Sequence, residues 1–400
     1  MYPELRTSVS PDEREHLVLE SWKEKNIFRR SVEERAEDRS FSFYEGPPTV
    51  NGTPGIHHVF SRTIKDAICR YKTMCGFRVE RKAGWDTHGL PVEIAIEKEL
   101  GFRHKNEIVE YGVGKFNEKC KELVYSNISR DAGWRELTER MGYWVNMDDP
   151  YITCTNDYIE SVWWAIKKFH DAGLIYKGFK IQPYCPRCET ALSSHEVSLG
   201  YDTAKDPSVY VKFRRTNSPS YEAERNRRGM GGGPGEEEEY FLAWTTTPWT
   251  LLANVALAVH PDVEYVTVIN KRKDKTERLV LAEALIGKLD GETEIVGRTL
   301  GKDLEGQHYE PLFDYLFTTS SPVFDKNLLA NSFRIVADTY VSTEDGTGIV
   351  HQAPAFGEDD YRVAQREGLP VIITVSSNGE INLDSPYKGK FFKDADPDIM

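Results

Sequence analysis

The sequence predicts an α/β protein in which the first half of a doubly wound nucleotide-binding domain precedes a β-rich domain. A short apolar strand at residues 41–45 leads through a glycine-rich loop into a helical pattern at residues 59–74, and a second strand follows at residues 77–86. After about residue 180, short strand-like runs such as VYVKF and YVTVI replace the long helical patterns. A strand–helix–strand unit opens the doubly wound folds, and serial short strands between turns are typical of a β-rich domain.

Composition limits the class of protein. The 400 residues are 39% hydrophobic and 29% charged, which is ordinary for a globular protein of two or three domains. No run of 18 apolar residues predicts a membrane span, and the amino terminus lacks a secretory signal pattern. The net charge of −13 argues against nonspecific nucleic-acid binding, although a local basic patch could still hold an RNA substrate. Six scattered cysteines favour a reducing, cytoplasmic location.

The first helix begins at a capping sequence. Ser10 is expected to cap the helix, Pro11 fits its first turn, and Glu13 can reach back to the cap. Apolar residues then recur with a helical period to about residue 27. We therefore expect residues 1–40 to form an amino-terminal helical extension.

The segment at residues 91–173 is predicted to be mostly helical. Its clearest helix is Tyr158–Ala172, whose apolar residues follow a helical period and which is closed by Gly173. Together with the strand–helix–strand unit, this segment makes residues 41–180 the nucleotide-binding half.

Residues 181–400 form the predicted β-rich domain. Within it, residues 215–239 are polar, charged and rich in glycine, with almost nothing to bury, and we predict a disordered surface loop there. Cys185 and Cys188 form a CxxC pair, which supplies two of the four ligands of a closed zinc site. His195 could be a third ligand, although a surface histidine is the simpler interpretation.

The loop at Phe43–His58 (FYEGPPTVNGTPGIHH) is the first candidate site. A glycine-rich turn that opens into a helix points backbone N–H groups and the helix dipole at a phosphate. An imidazole at the helix start, here His58, can meet negative charge that develops on a nucleotide. The alternative is a histidine that only caps the turn.

Asp86 follows Trp85 at the end of the second strand. A carboxylate at that edge of a sheet is well placed to bind an ammonium group. The alternative is that Asp86 caps the turn into the Thr87–Gly89 segment. From the residues alone, the two interpretations are even.

The loop and the segment Gly84–Glu93 (GWDTHGLPVE) together resemble the catalytic half of the class I aminoacyl-tRNA synthetases. In that family, GPP-x-x-NG-x-P precedes a HIGH tetrapeptide, and GWD-x-HGLPVE is the form found in the isoleucine enzymes. The leucine enzymes carry GWDAFGLPAEN there and the valine enzymes TDHAGIATQ; a leucine or valine enzyme is the alternative. The HIGH order is altered, because Gly55 and His57 stand where the family has His and Gly.

The resemblance implies that isoleucine is activated with ATP and Mg²⁺ and transferred to tRNA(Ile) by a monomeric enzyme. The residues that it implies for catalysis are His58, Asn51 and Gly52. The residues that it implies for substrate binding are Gly46, Pro47, Asp86 and His88. The residues of the altered ATP motif are Pro54, Gly55, Ile56, His57 and His58.

A second pair of motifs lies in the β-rich domain, at Trp244–Trp249 (WTTTPW) and Gly346–Pro354 (GTGIVHQAP). Consecutive threonines usually fill a strand, but these end at a proline, so their hydroxyls could line a pocket. The pair resembles the editing domain of the isoleucine, valine and leucine synthetases. There the threonines hold the terminal adenosine and the mischarged ester, the Asp anchors the amino group and the His shapes the pocket for valine. The residues implied in editing are Thr245, Thr246, Thr247, Asn254, His351 and Asp360.

The resemblance covers essentially all 400 residues and implies a part of a longer enzyme. A Lys-Met-Ser-Lys-Ser-like loop, the second half of the nucleotide fold and an anticodon-binding domain are expected elsewhere. The second cysteine pair of the zinc site is expected beyond residue 400. A fragment that acts only as an editing or tRNA-binding module is the alternative function.

Overall fold

The computed structural model describes residues 9–198, 200–216, 238–273, 275–319 and 326–400. The chain divides into two compact units, Met1–Gly178 and Phe179–Met400. Among the described residues, no helix has both the length and the apolar character that a membrane crossing needs. Most of the predicted disordered loop, at 217–237, lies outside the described residues, and its two ends at 215–216 and 239 belong to strands, so the prediction is wrong at those ends.

The first unit opens with helices α1 (Pro11–Glu24) and α2 (Ile27–Glu33). The Ser10 hydroxyl accepts a hydrogen bond from the backbone N–H of Glu13 at 3.1 Å, which is the predicted cap. The first helix ends three residues earlier than expected because Asn26 adopts a left-handed conformation with φ of 50°.

Within the described residues of this unit, three parallel strands form the sheet in the order β1 (Phe43–Tyr44), β2 (Arg81–Trp85) and β3 (Asn146–Ile152). Helix α3 (Ile56–Met74) connects β1 to β2. Parallel strands joined by crossover helices are the framework of a doubly wound domain, and ligands bind beyond the carboxyl ends of its strands. The predicted α/β class is confirmed.

The prediction that residues 91–173 are mostly helical is confirmed, but it missed strand β3. Its sequence NMDDPYI contains residues that are depleted in strands, so neither composition nor alternation revealed it. Pairing with β2, from Lys82 opposite Asn146 to Trp85 opposite Ile152, overrides the weak local preference. The remaining helices of the unit are α4 (Leu90–Leu100), α5 (Asn106–Tyr111), α6 (Val113–Ser129), α7 (Trp134–Arg140) and α8 (Asn156–Asp171).

The second unit is rich in β-structure. A hairpin, β4 (Tyr184–Cys185) with β5 (Thr190–Ala191), comes first. Nine strands of the described residues then form one sheet in the order β11-β9-β10-β7-β6-β12-β13-β8-β14. In chain order these strands are β6 (Val209–Thr216), β7 (Glu239–Thr245), β8 (Ala256–Val259), β9 (Glu264–Arg272), β10 (Lys275–Ala282), β11 (Glu292–Leu300), β12 (His308–Tyr309), β13 (Arg334–Ala337) and β14 (Ile349–Gln352).

Short helices surround this sheet. The α-helices are α9 (Ser194–Ser198), α10 (Gly301–Leu304), α11 (Tyr315–Thr318), α12 (Glu358–Glu367) and α13 (Phe392–Ile399). The 3₁₀ helices are Pro248–Ala253, Glu283–Lys288 and Lys326–Asn331. The continuous apolar run of β8 is fully buried, and the main core of the unit forms around it. The antiparallel neighbour β14 places His351 opposite Leu257. The motif at Gly346–Pro354 therefore lies beside the core.

Candidate active sites

His58 lies at the start of α3, three residues after the Gly55 cap. Its Nδ1 accepts a hydrogen bond from the backbone N–H of Gly55 at 2.9 Å, and its ring packs edge-on against Trp134 with centroids 4.6 Å apart. Burial and the neighbouring His57 lower the pKa of His58, so the neutral ring is favoured. A neutral imidazole that accepts at Nδ1 carries its proton on Nε2, and the described residues show no acceptor for it. The capping role and an available N–H donor therefore coexist in one ring.

The altered order of the tetrapeptide avoids a steric clash, because Gly55 leaves room for the His57 side chain. A Cβ at Gly55 would lie 2.9 Å from Cε1 of His57, closer than such atoms approach. The His57 ring lies 3.8 Å from the His58 ring and its side chain is exposed. A side chain at residue 55 would therefore displace His57, and the two changes from the family pattern accommodate each other.

Asp86 lies directly beyond the carboxyl end of β2 and is half-buried. Its Oδ2 accepts a hydrogen bond from the Thr49 hydroxyl at 2.7 Å, and its carbonyl accepts from the Val50 N–H at 2.9 Å. Helix α4 is capped by Gly89, so the structure gives Asp86 no capping role. The glycine-rich loop thus holds one oxygen of the carboxylate, and the other has no hydrogen bond recorded among the described residues.

The remaining predicted residues of this site occupy the same loop and its partners. The Gly52 carbonyl accepts a hydrogen bond from the Trp134 indole at 2.9 Å, and Asn51 is exposed. His88 is exposed, with Nδ1 3.0 Å from the hydroxyl of Thr153. The structure thus places these groups around the carboxyl ends of β1 and β2.

A buried charged cluster beneath the loop was missed by sequence reasoning. Glu45 is only 2% exposed and accepts hydrogen bonds from Lys65 Nζ at 2.6 Å and from the Tyr143 hydroxyl. The same Lys65 Nζ also donates to the carbonyl of Gly46 at 3.2 Å. The only available signal was a glutamate at the end of an apolar strand, because the two partners are distant in sequence. The cluster fixes the backbone at the point where the loop begins.

The two motifs of the second unit meet in a cavity of about 360 Å³. Predicted residues that line it are Thr245, Thr246, Thr247, His351 and Asp360. The lining also includes Thr250, which sequence reasoning missed although it follows the threonine run by three positions. Strand β7 ends at Thr245 and the 3₁₀ helix begins at Pro248, so the threonines do lie at a strand end.

His351 is 7% exposed and joins the two motifs. Its Nε2 lies 2.9 Å from the Thr250 hydroxyl, which in turn donates to the Thr247 carbonyl at 2.8 Å. A hydroxyl that donates to a carbonyl can only accept from the ring, so Nε2 carries the proton. Burial lowers the pKa of His351 to about 4, so the ring is neutral at physiological pH. Its Nδ1 has no hydrogen-bond partner among the described residues.

Asp360 is the carboxylate of the cavity and lies in the first turn of α12. Its Oδ2 accepts a hydrogen bond from the backbone N–H of Ala353 at 3.0 Å. Burial raises the pKa of Asp360, and the hydrogen bond from the Ala353 N–H opposes that rise. The recorded hydrogen bond to the carboxylate thus comes from a neutral donor.

Asn254 is the one predicted editing residue that the structure does not bring to the cavity. It is 4% exposed, its Nδ2 donates to the Ala256 carbonyl at 3.0 Å, and its Oδ1 accepts from the Tyr309 hydroxyl at 2.7 Å. Both ends of the amide are thus used inside the core. Its position after the 3₁₀ helix turns it away from the threonines, so its predicted place in the pocket is wrong.

The CxxC pair lies at the turn between β4 and β5. The Cys188 N–H donates to Cys185 Sγ at 3.3 Å, and burial raises the pKa of the Cys188 thiol. Within the described ranges, no group of three or more His, Cys, Asp or Glu side chains could hold a metal ion. His195 is exposed on α9 and does not complete the pair. The pair offers two ligands and no more.

Comparison with known proteins identifies the family to which this chain belongs. A family model described as class I tRNA synthetases (I, L, M and V) matches residues 17–352. The chain is 47% identical to the isoleucine–tRNA ligase of Clostridium acetobutylicum, with coverage of 100% of this chain and 35% of that protein. It is also 47% identical to isoleucine–tRNA ligase 2 of Bacillus cereus, with coverage of 97% and 34%. The chain spans about a third of the length of these curated relatives.

Solved structures give weaker likenesses. The structure described as GlLeuRS-CP1 is matched over 48% of this chain and 93% of its own, at 16% identity and a TM-score of 0.34. The editing domain of the P. knowlesi cytosolic leucyl-tRNA synthetase is matched over 50% and 93%, at 12% identity and a TM-score of 0.34. These scores are too low to establish a shared fold. The family model and the identity over the whole chain nevertheless decide the matter: this chain belongs to the class I tRNA synthetase family.

Proposed function

We propose that the chain is part of an isoleucyl-tRNA synthetase, which uses ATP and Mg²⁺ to join isoleucine to tRNA(Ile) and hydrolyses mischarged Val-tRNA(Ile). Residues 41–180 are the catalytic half and residues 181–400 the editing domain. The observation that carries the proposal is the cavity of the second unit, which residues of both motifs line and where Thr250 contacts His351, 101 residues away in sequence. The isoleucine assignment rests on GWDTHGLPVE and on the relatives at 47% identity.

The synthetic site lies at the carboxyl ends of β1 and β2. Adenylate formation moves a carboxylate onto the α-phosphorus of ATP, and catalysis consists of placing donors where charge develops. The Nε2–H of His58 supplies such a donor at a helix amino terminus. Asp86, held by Thr49, binds the ammonium group of isoleucine beside Gly46 and the loop that Lys65 fixes. Mg²⁺ would accompany the ATP phosphates and supply further positive charge there.

A second site is needed because one pocket discriminates poorly. Isoleucine and valine differ by one methylene group, and a binding pocket can discriminate between them by only about 1–3 kcal/mol. Isoleucyl-tRNA synthetase is the established example of this limit. In the cavity, Asp360 binds the ammonium group of the mischarged valine, and the threonine hydroxyls hold the terminal adenosine and the ester. His351 stays neutral and bounds the space for the side chain.

Hydrolysis in this cavity uses a positioned water. Thr250 and His351 form a hydroxyl–imidazole pair, but Nδ1 of His351 meets no carboxylate in the described part of the chain. The Thr250 hydroxyl also points its proton at a carbonyl and not at the ring. The pair therefore lacks the orientation of a nucleophilic triad.

The CxxC pair is proposed to supply only half of a Zn²⁺ site. Cys185 and Cys188 have the spacing and the N–H···S contact of a zinc-binding turn, and they would hold two corners of a tetrahedral ion. Two further ligands would complete such a site. All six cysteines of the chain are described and are free thiols, in keeping with a cytoplasmic location.

The test of substrate identity is amino-acid-dependent pyrophosphate exchange by the full-length protein. Isoleucine is expected to give the highest kcat/KM, with valine reduced about 100-fold and leucine further still. Equal or greater exchange with valine or leucine would overturn the isoleucine assignment. Exchange with none of the three, by a folded protein that binds tRNA, would favour a binding module.

A further inference from the structure

Helix α12 carries charged side chains on two different faces. Asp360 lies in its first turn and lines the cavity. Arg362 and Arg366 share another face, because residues four positions apart lie above one another on a helix. Arg362 follows Asp360 by two positions and is therefore rotated from it by about 200° around the helix axis. The helix thus lies between the carboxylate at the cavity and its two arginines.

The arginine face of α12 is bound to one carboxylate, that of Asp338. Asp338 directly follows β13, and its side chain is only 4% exposed. Arg362 donates to both of its oxygens, each at 2.9 Å. Arg366 donates to the same carboxylate and, at 2.7 Å, to the Ala337 carbonyl. We call Asp338, Arg362 and Arg366 the Asp338 clamp; its bidentate, charge-assisted hydrogen bonds restrain both the position and the rotation of the helix.

The Asp338 clamp connects α12 to the sheet that forms another part of the cavity. Strand β13 pairs with β8 along its whole length, and the Asp338 N–H donates to the Val259 carbonyl of β8 at 2.9 Å. The other neighbour of β8 is β14, which carries His351. Asp338 therefore joins the helix that carries Asp360 to the sheet that carries His351.

The direct contact that holds the Asp360 carboxylate is slight by comparison. Its Oδ2 accepts a hydrogen bond from the backbone N–H of Ala353 at 3.0 Å. A Cβ at Gly357 would lie 2.8 Å from the same oxygen, so there is little space on that side. A hydrogen bond from a backbone amide restrains the carboxylate, but the place of the carboxylate still follows the place of its helix.

We propose that Asp338 is a positioning residue of the hydrolytic site, which holds α12 through Arg362 and Arg366 so that the Asp360 carboxylate can bind the substrate ammonium group. Asp338 does not line the cavity and belongs to neither motif. A displacement of about 1 Å that originates far from the chemistry can lower a rate about 100-fold, so a contact outside the cavity can control it. The inference rests on the proposed hydrolytic function of the cavity.

The test is hydrolysis of Val-tRNA(Ile) by the full-length protein, with kcat and KM measured separately. Asp338→Asn keeps the shape of the side chain and removes the charge that binds both guanidinium groups. It is expected to lower kcat/KM about 10-fold, chiefly by raising KM, because the group that binds the ammonium is misplaced. Isoleucine-dependent pyrophosphate exchange by the same preparation should be unchanged. A parallel loss of both activities would show a general structural role and overturn the inference.

A double-mutant cycle tests whether Asp338 acts through Asp360. In the Asp360→Ala background, Asp338→Asn should lower the residual hydrolysis by less than about twofold, because the group that it positions is already gone. A further loss of about 10-fold would mean that the two residues act independently. That result would contradict the proposed role of Asp338.

The exposed side of the Asp338 clamp provides a second variant. Arg362 is 51% exposed, and Arg362→Met should raise KM about threefold, since Arg366 still holds the carboxylate. Arg362→Lys restores the charge without the bidentate geometry and should recover part of this loss. The matched control is Arg298→Met. Arg298 is 53% exposed and pairs with Glu283 at 3.0 Å, but it lies on β11, which does not line the cavity, so hydrolysis should be unchanged.

The outcomes separate this inference from the proposed function. If Asp338→Asn and Arg362→Met keep the wild-type KM, the inference is wrong while the proposed function stands. If Asp338→Asn unfolds, Arg362→Met and its combination with Asp360→Ala decide in the same way. If the wild-type protein does not hydrolyse Val-tRNA(Ile), the proposed function itself fails.

Discussion

The two units present their candidate sites in opposite ways. In the first unit, His58 lies in the first turn of α3 and Asp86 follows β2 beside the glycine-rich loop. Helix α8 of this unit buries none of its residues, and its Trp163 and Trp164 are 63% and 66% exposed. In the second unit, the threonines, His351 and Asp360 line one cavity that is supported by a large buried core. Exposed apolar surface of this kind marks contact with further protein. The candidate site of the second unit is thus formed by residues of that unit, whereas the first unit presents apolar surface on α8 that is available for further contacts.

The largest effect is expected from removing the carboxylate that lines the cavity of the second unit. Asp360→Ala in the full-length protein is expected to lower Val-tRNA(Ile) hydrolysis more than about 100-fold, because a charged group that binds the ammonium is lost. Pyrophosphate exchange should be unchanged. Asp359→Ala is the control, since Asp359 is exposed and pairs with Arg362. Equal effects of the two substitutions would contradict the assigned role of Asp360.

The converse substitution tests the open site. His58→Ala removes the Nε2–H donor and is expected to lower isoleucine-dependent exchange about 100-fold. The Gly55 N–H loses its acceptor as well, so the melting temperature must be measured beside the rate. A loss of stability with no loss of exchange would reduce His58 to a capping residue.

The core of the second unit should contribute more to stability than the exposed face of α8. Leu257 is completely buried on β8, and Leu257→Ala is expected to lower the free energy of unfolding by about 2–5 kcal/mol. Trp163→Ala, on the exposed face of α8, should change it by less than about 0.5 kcal/mol. Urea unfolding of both variants provides the measurement. A larger effect for Trp163 would show that α8 is packed and that the first unit is more complete than described.

The pH dependence of stability offers a finer test of the cavity in the second unit. The pKa of His351 is about 4 in the folded protein and about 6.5 in the unfolded chain, so the unfolded chain binds more protons between these values. The stability that this group contributes is complete above about pH 6.5 and falls by up to about 3 kcal/mol as the pH drops towards 4. His351→Gln should flatten that part of the curve. Urea unfolding at pH 4.5, 5.5 and 7 would check it, and an unchanged slope would contradict the buried neutral ring.

The smallest expected effect concerns the altered tetrapeptide. His57 is exposed and contacts His58 only through its ring, so His57→Gly should change pyrophosphate exchange by less than about threefold. A loss comparable to that of His58→Ala would give His57 a catalytic part.

Sequence reasoning found the features that are local in the chain. The Ser10 cap, helix α3 and the end of β7 at the threonines follow from neighbouring residues, and the structure has them. Features that depend on distant partners were missed or misplaced. Strand β3 exists because β2 pairs with it, and Asn254 turns into the core because Tyr309, 55 residues away, binds it.

The same distinction holds within the sites. Thr250 and His351 were 101 residues apart in sequence, and only the fold shows that they touch. The structural role of Glu45 follows from its hydrogen bonds with Lys65 and Tyr143. Neither of these residues belongs to a recognisable sequence motif. The sequence motifs identified the candidate functional residues. The residues that contact them could be identified only from hydrogen bonds between distant parts of the chain.

The most direct test of two independent sites is Val-tRNA(Ile) hydrolysis by the full-length protein that carries His58→Ala. If the hydrolytic site is assembled within the second unit, hydrolysis should proceed at the wild-type rate while isoleucine-dependent exchange falls about 100-fold. If hydrolysis by a fully folded variant falls together with exchange, the two reactions share one site, and the separation of synthesis from editing described for this chain is wrong.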